Sequence, residues 1–305
     1  MTTMGTAQLA KRYLPTSSIQ ILRDIRASVL KRSVEAAIRE QNLTELFIRL
    51  PSIVSDITDQ YSTYKTDTPF LQTQVRALHA FQISLVQKAM EMAHHAGMGG
   101  PLTIVDIGDS SGTHVRYLKA LFSDLNTHSI NCDPLAVAKI KKLGLSAIHA
   151  QAEELEYHSI KADIYISFEM LEHLYSPVDF LRRLSETSGQ LFVLTVPFLR
   201  QSRVGLHHIR NKRHATTSAE TNHIFELSPQ DWELLFQHSG WKIAYRYNYL
   251  QYPRFAAARL LKHLWRTTDF EGFFGVILVK DNQWKKLNAD WFPSSEPPQI
   301  LPASN

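Results

Sequence analysis

Cysteine is almost missing from this chain: Cys132 is the only one in 305 residues, which excludes an internal disulfide and suits a reducing compartment. No run of some 18 apolar residues occurs, so a membrane-spanning helix is excluded and no stable membrane insertion is expected. The opening MTTMGTAQLAKRYLPTSS lacks the apolar centre of a secretory signal, and a cytoplasmic location is the expectation. Acids are scarce at the start. Lys11, Arg12, Arg23, Arg26, Lys31 and Arg32 stand against Asp24 alone in the first 33 residues, a bias similar to that of a mitochondrial targeting peptide, yet the hydrophobic pattern runs on to Leu50 as in a folded helix. Internal repeats are absent too. What is present is ordinary for a soluble globular chain: 44% hydrophobic residues, 20% charged residues and a net charge of +4. That is enough to bury a full core and gives a mild preference for anionic partners.

The hydrophobic rhythm divides the chain. From about Ser18 to His95 apolar residues recur three and four apart, as at Leu22, Ile25 and Val29 and again from Val75 to Met90. This predicts an N-terminal helical region, residues 1–95, broken by prolines near 50–55 and 66–69 into several short helices. AHHAGMGGP, residues 93–101, is the strongest punctuation. Beyond it, short apolar runs at 102–108, 129–133, 146–150, 162–168 and 189–197 alternate with segments long enough for helices. Strands separated by helices predict an α/β domain over 96–280 with a mostly parallel sheet. Two more β-rich runs, 241–250 and 273–280, flank a helical stretch at 253–266, and 281–305 reads as an extended tail.

In such a sheet a ligand binds at the carboxyl ends of the strands, and the first strand-to-helix turn is the usual place for a cofactor. That turn is DIGDSSGTH, Asp106 to His114. Gly108 and Gly112 permit a tight turn and close approach of a ligand, while G-x-S-x-G departs from the dinucleotide pattern and favours a smaller cofactor. Asp133 closes the second strand, where a carboxylate can accept from ribose hydroxyls or cap the helix that follows. Ala152 and Glu153 follow the third.

These segments, VDIGDSSGTH, the strand end at Asp133, AEEL (152–155), SFEMLEHLYSPVDFLRRL (167–184) and LFVLTVPF (191–198), together resemble the class I S-adenosylmethionine-dependent methyltransferases over roughly residues 100–280. The resemblance implies a Rossmann-like seven-stranded sheet whose last strand is antiparallel. It places Asp106, Gly108, Gly112, Asp133 and Glu153 around S-adenosylmethionine, with Asp109, Ser110, Ala152 and Phe168 lining the same site. Ser110 stands where the family often has glycine, and Asp109 is an unusual acid there. The two departures keep open a non-catalytic subunit that retains the fold.

The stretch SFEMLEHLYSP (167–177) puts Glu169, Glu172 and His173 at the end of an apolar run. Their spacing predicts a turn of helix with all three on one face, and two carboxylates with an imidazole suit Mg²⁺ or Mn²⁺. Downstream, NHIFELSPQDWELLFQHSGW (222–241) resembles the segment of small-RNA 3′-terminal 2′-O-methyltransferases whose histidine completes an E-x-x-E-H…H metal site. The first cluster is also similar to that of ubiquinone-pathway O-methyltransferases. The resemblance implies Glu169, Glu172, His173 and His223 as metal ligands. With an ion, the site would lower the pKa of an acceptor hydroxyl. Without one, His173, His207 or His208 would serve as general base, with Glu172 beside it.

The acceptor is read from LRQSRVGLHHIRNKRH (199–214), which holds Arg200, Arg203, Arg210, Lys212, Arg213 and three histidines without an acid. Such a loop, if not merely solvated, recognises phosphate or carboxylate. The expectation is O-methylation of a small or glycan-like anionic acceptor. Methylation of a terminal ribose of RNA is the alternative, although no familiar RNA-binding module is visible.

Overall fold

The computed structural model describes residues 16–60, 65–122, 124–152, 161–204, 223–255 and 272–284. Three helices come first: α1 (Thr16–Glu40), α2 (Thr44–Ile53) and α3 (Pro69–His95). Two of them are longer than the prolines suggested. Pro51 is carried inside α2, and Pro69 occupies the first turn of α3, where its missing N–H is no loss and Thr68 accepts from the Leu71 amide. The proline segments do coincide with helix ends, and a further break at 41–43, which no proline marks, separates α1 from α2.

From Leu102 onward the structure alternates as expected: β1 (Leu102–Ile107), α4 (Thr113–Leu121), β2 (Leu125–Asn131), α5 (Pro134–Lys142), β3 (Ala147–His149), β4 (Ile164–Phe168), α6 (Pro177–Glu186), β5 (Leu191–Pro197), then the short β6 (Arg203–Val204) and β7 (Phe225–Glu226), α7 (Pro229–His238), β8 (Trp241–Leu250) and β9 (Gly272–Lys280). The main sheet has seven strands in the order β3-β2-β1-β4-β5-β9-β8. The pairs β1 with β2, β1 with β4, β2 with β3 and β4 with β5 are parallel, whereas β9 runs antiparallel to both β5 and β8. This is the Rossmann-like methyltransferase sheet. The helical stretch expected at 253–266 falls largely outside the described residues, as does the tail beyond 284.

Alternation along each strand builds two cores. Ile104, Ile164, Val193 and Ile277 face Phe81 of α3 and, with it, Leu30 and Val34 of α1. Val105, Leu194 and Val276 face the other way, against Phe180 and Leu184 of α6 and Trp232 and Phe236 of α7. The N-terminal helices thus share one continuous core with the sheet, so the sequence boundary near residue 95 is not a boundary in the packing. Because α3 lies across β5 and β9, its polar residues reach the carboxyl ends of the strands. No helix among the described residues is long and apolar enough to cross a membrane.

Candidate active site

The carboxyl ends of the strands open into a cavity of about 1770 Å³, larger than the roughly 300–1,000 Å³ of an ordinary small-molecule pocket. A donor and an acceptor fit side by side. One end is walled by Asp106, Gly108, Asp109, Ser110, Asp133 and Ala152, with Phe168 between the ends; the other holds Glu169, Glu172, His173 and His223.

The turn after β1 owes its shape to Gly108 (φ 94°) and Gly112 (φ 71°), both in the left-handed region. Gly112 does not line the cavity: a Cβ there would come within 2.8 Å of Leu145 Cδ1 behind the loop. The unusual acid is structural. Asp109 Oδ1 accepts from the amides of Ser111 (3.0 Å) and Gly112 (2.7 Å), and its Oδ2 accepts from Ser129 Oγ at 2.6 Å. The carboxylate does from within what extra glycines would otherwise permit, holding the turn closed. Ser110 Oγ donates to the Gln60 carbonyl, and Thr113 Oγ1 donates to Gln60 Oε1, so the loop between α2 and α3 is tied across this end. Asp133 caps α5 through Oδ1, which accepts from the Leu135 amide at 2.8 Å, and also lines the cavity. The cap and the ribose readings of Asp133 are thus compatible. Glu153 lies outside the described residues.

The fit to a small cationic cofactor rests on Asp106. It is 2% exposed, it lines the cavity, and its Oδ2 has no hydrogen-bond partner. Burial, then the charge of Asp109, pushes its carboxyl well above the usual range. A buried acid on a cavity wall, its Oδ2 without a hydrogen bond and 3.6 Å from the His114 ring, is complementary to an incoming positive charge.

At the acceptor end the expected helical face does not form. Glu169 sits in the left-handed region (φ 54°) with its amide donating to the Thr195 carbonyl, and only a short 3₁₀ turn, Leu171–His173, follows. The kink sends Glu169 away from the other two. Among the described residues, the group able to share an ion is Glu172, His173 and His223, with ligand atoms within 4.8 Å of one another; Glu169 is not in it. Donors of one six-coordinate ion with bonds near 2.1 Å stand about 3.0 Å apart when adjacent and about 4.2 Å when opposite, so the three side chains would draw together to hold an ion. Glu172 is fully buried and neither carboxylate oxygen has a hydrogen-bond partner, His173 Nε2 standing 4.0 Å from Oε1. Burial, then the Glu169 charge, pushes its carboxyl well up against the pull of His223. Glu169 is itself raised by burial to about 8.

His223 arrives through tertiary contacts. The Ile224 amide donates to the Glu172 carbonyl at 2.7 Å, and β7 pairs with β6. Its ring stands perpendicular to that of His173, centroids 4.8 Å apart. His223 Nδ1 lies 2.9 Å from Glu226 Oε1, and a donated Nδ1–H leaves Nε2 as the bare nitrogen for an ion. Arg203 Nε donates to the other Glu226 oxygen. Burial would raise Glu226, but His223 and Arg203 bring it down to about 2. Glu226 was not legible as a functional residue in the sequence; its only signal was the three-residue spacing from His223. His207 and His208 lie outside the described residues, as do Arg210, Lys212 and Arg213. Arg200 lines the cavity.

Comparison with known proteins bears on this geometry. Residues 105–187 match a family described as "Methyltransferase domain", a span from β1 through α6. Among curated proteins the chain finds no match. Among solved structures it is similar to the cyclase SpnF (12% identity, 81% of this chain and 97% of that one, TM-score 0.50). It is also similar to the magnesium protoporphyrin IX methyltransferase of Synechocystis with bound S-adenosylhomocysteine (11%, 81% and 99%, TM-score 0.46). A third is an O-methyltransferase of a Brevibacillus brevis polyketide multienzyme (14%, 61% and 69%, TM-score 0.41). At such identities the SpnF likeness speaks for the fold alone, and a cyclase on this fold is a reminder that architecture does not name a reaction. The family match covers the turn, the strand ends and the Glu172–His173 stretch just described: residues 105–187 form a methyltransferase domain.

Proposed function

We propose that the chain is an O-methyltransferase assisted by a divalent ion, Mg²⁺ or Mn²⁺, and acts on a hydroxyl of a small or glycan-like anionic acceptor. The observation that carries this reading is Glu172: a fully buried carboxylate with two oxygens that lack a hydrogen bond, grouped with His173 and His223. Left alone such a carboxylate is costly; beside a cation it is at home.

The bound ion and cofactor would supply, respectively, a lowered hydroxyl pKa and the methyl group. The chain's own residues do the rest. Glu172, His173 and His223 hold the ion, with Glu226 and Arg203 keeping the His223 ring in register. Glu169, beside this group but outside it, is placed to accept from an acceptor hydroxyl through its unpartnered Oε1. Arg200 on the cavity wall offers a planar cation to an acceptor anion, as would the neighbouring basic residues of 199–214. Alignment of acceptor oxygen and donor in one water-poor cavity contributes the largest share of what the protein must add.

The test is a chelation series on purified enzyme with candidate hydroxyl acceptors. Activity is expected to disappear with a chelator and return with Mg²⁺ or Mn²⁺. Full turnover by metal-stripped enzyme would remove the ion from the reading and leave His173 as base.

A further inference from the structure

A second polar cluster lines the cofactor end of the cavity on the α3 side, and methyl transfer as described assigns it no role beyond Asp106. Gln82 and His79 of α3 and His114 of α4 are buried together there, beside Asp106 of β1. Gln82 Nε2 donates to Thr195 Oγ1 at 3.1 Å, and Gln82 Oε1 lies 2.8 Å from His114 Nε2. The Thr195 side chain in turn hydrogen-bonds the Glu169 carboxyl. The Gln82–Thr195 bond fixes the orientation of the amide. Thr195 Oγ1 accepts from Gln82 Nε2, so Gln82 presents its oxygen to His114. A carbonyl oxygen cannot donate, hence His114 carries its proton on Nε2. Its Nδ1 then faces Asp106 Oδ2 at 3.6 Å.

Between that nitrogen and that buried oxygen one proton has a place. It sits on Asp106 beside a bare Nδ1, or on Nδ1 beside an anionic Asp106, and the pair is neutral either way. The charged and titratable groups facing the pair are Asp109 from the turn, and His79 and Arg76 from α3, with Tyr117 on α4 bonded to Arg76 and His79. Burial holds His114 down at about 4 and raises Asp106, which favours the proton on the acid.

We propose that Gln82 is a positioning residue for cofactor binding: by holding His114 in this tautomer it keeps one proton on the Asp106–His114 pair of the ligand-free protein, and a cationic cofactor arriving beside Asp106 displaces that proton to solvent. The inference rests on S-adenosylmethionine binding at this end of the cavity. Without Gln82 the imidazole is free to carry its proton on Nδ1 and donate to Asp106, which stabilises the carboxylate with no extra proton, and binding then has none to release. Replacing Thr195 acts on the same device from the other end. The amide can turn, offer Nε2–H to His114 and force the same change of tautomer, although Thr195 does not line the cavity.

Isothermal titration calorimetry with S-adenosylmethionine near pH 7, in phosphate and in Tris, counts the protons released from the difference in buffer ionisation heat. For the wild type the expected count is about one, with Kd tightening about tenfold per pH unit below the titration of the pair. In Gln82→Met and in the nearly isosteric Thr195→Val the count should fall toward zero. A merely structural role would lower thermal stability and leave the count as it was. Measurable binding with no proton release by the wild type, or an unchanged count in both variants, overturns the inference while leaving the cofactor reading intact. Absence of any binding by the folded wild type overturns both.

Discussion

At the scale of single residues the site is defined by acids that water cannot reach. Glu172 is the extreme case, and its position opposes function to stability. Glu172→Met replaces two oxygens that lack a hydrogen bond by an apolar chain of similar volume, and the ligand-free protein should gain about 1–3 kcal/mol while losing divalent-ion affinity. Thermal unfolding paired with a Mn²⁺ titration by electron paramagnetic resonance checks both halves, and a destabilised variant would mean that Glu172 has a partner in solution. Glu226 acts through its neighbour. Glu226→Gln preserves shape but weakens the acceptor that holds His223 Nδ1–H, so Mn²⁺ affinity should fall about tenfold or more, with S-adenosylmethionine affinity within about twofold of wild type, since the two ends of the cavity are separate. Equal loss of both ligands would indicate a folding defect. Of these residues, Glu172, His173 and His223 could be picked from the sequence because motif spacing carries chemistry. Glu226 and Gln82 could not, and Arg203, expected to meet an acceptor anion, instead bonds Glu226, because a side chain's spacing along the sequence says nothing about which distant neighbour it will meet.

At the scale of elements, local sequence and local structure part company in two places. The spacing of Glu169, Glu172 and His173 is helical, yet the chain makes a left-handed residue and a 3₁₀ turn, because β4 and β5 must hand the Glu169 amide to the Thr195 carbonyl. The strand ladder overrides the propensity. In the other place, α5 begins at Asp133, which serves as helix cap and as cavity wall at once. Two substitutions separate the roles. Asp133→Asn keeps a good cap and removes the charge, so stability should hold within about 0.5 kcal/mol while cofactor binding weakens by about 1–3 kcal/mol. Asp133→Ala should lose both, with about 1 kcal/mol of stability going with the cap. Calorimetric binding and thermal melts of the pair decide it, and cofactor affinity untouched in both variants would take Asp133 out of the ribose site.

At the scale of the whole molecule the buried acids set a pH profile. Glu169, raised to about 8, and Asp106, raised in the same direction, hold protons in the folded state that the unfolded chain has already lost. His79 and His114, lowered by burial, oppose this up to the ordinary imidazole value of 6.5, so stability of the ligand-free protein should decline as pH rises from about 6.5 to about 8. Glu226 has the opposite sign. Lowered to about 2, it contributes stability above the ordinary glutamate range that is lost as pH falls toward 2. Together these give a maximum in weakly acidic solution. Melting temperatures from pH 3 to 9 test the profile, and a flat or rising Tm between about pH 6.5 and 8 would contradict the burial of these carboxylates. Cofactor and divalent ion together should flatten the alkaline decline.

The sequence alone determined the sheet and its order of elements, because strand and helix periods, proline positions and the Asp106–His114 turn are local signals that each segment carries within itself. It also determined which residue types stand at the strand ends, and with them the kind of cofactor. Tertiary structure decided the rest. It made the N-terminal helices part of the sheet's own core, and it brought Gln82 of α3 to the wall of the cofactor site, 113 residues from Thr195. It also folded His223 and Glu226 over the Glu172 turn and left Glu169 outside the ion group. Each of these depends on which apolar face packs against which, and on the hydrogen bonds that buried polar groups must find once water is gone, and neither is encoded in the spacing of residues along one segment.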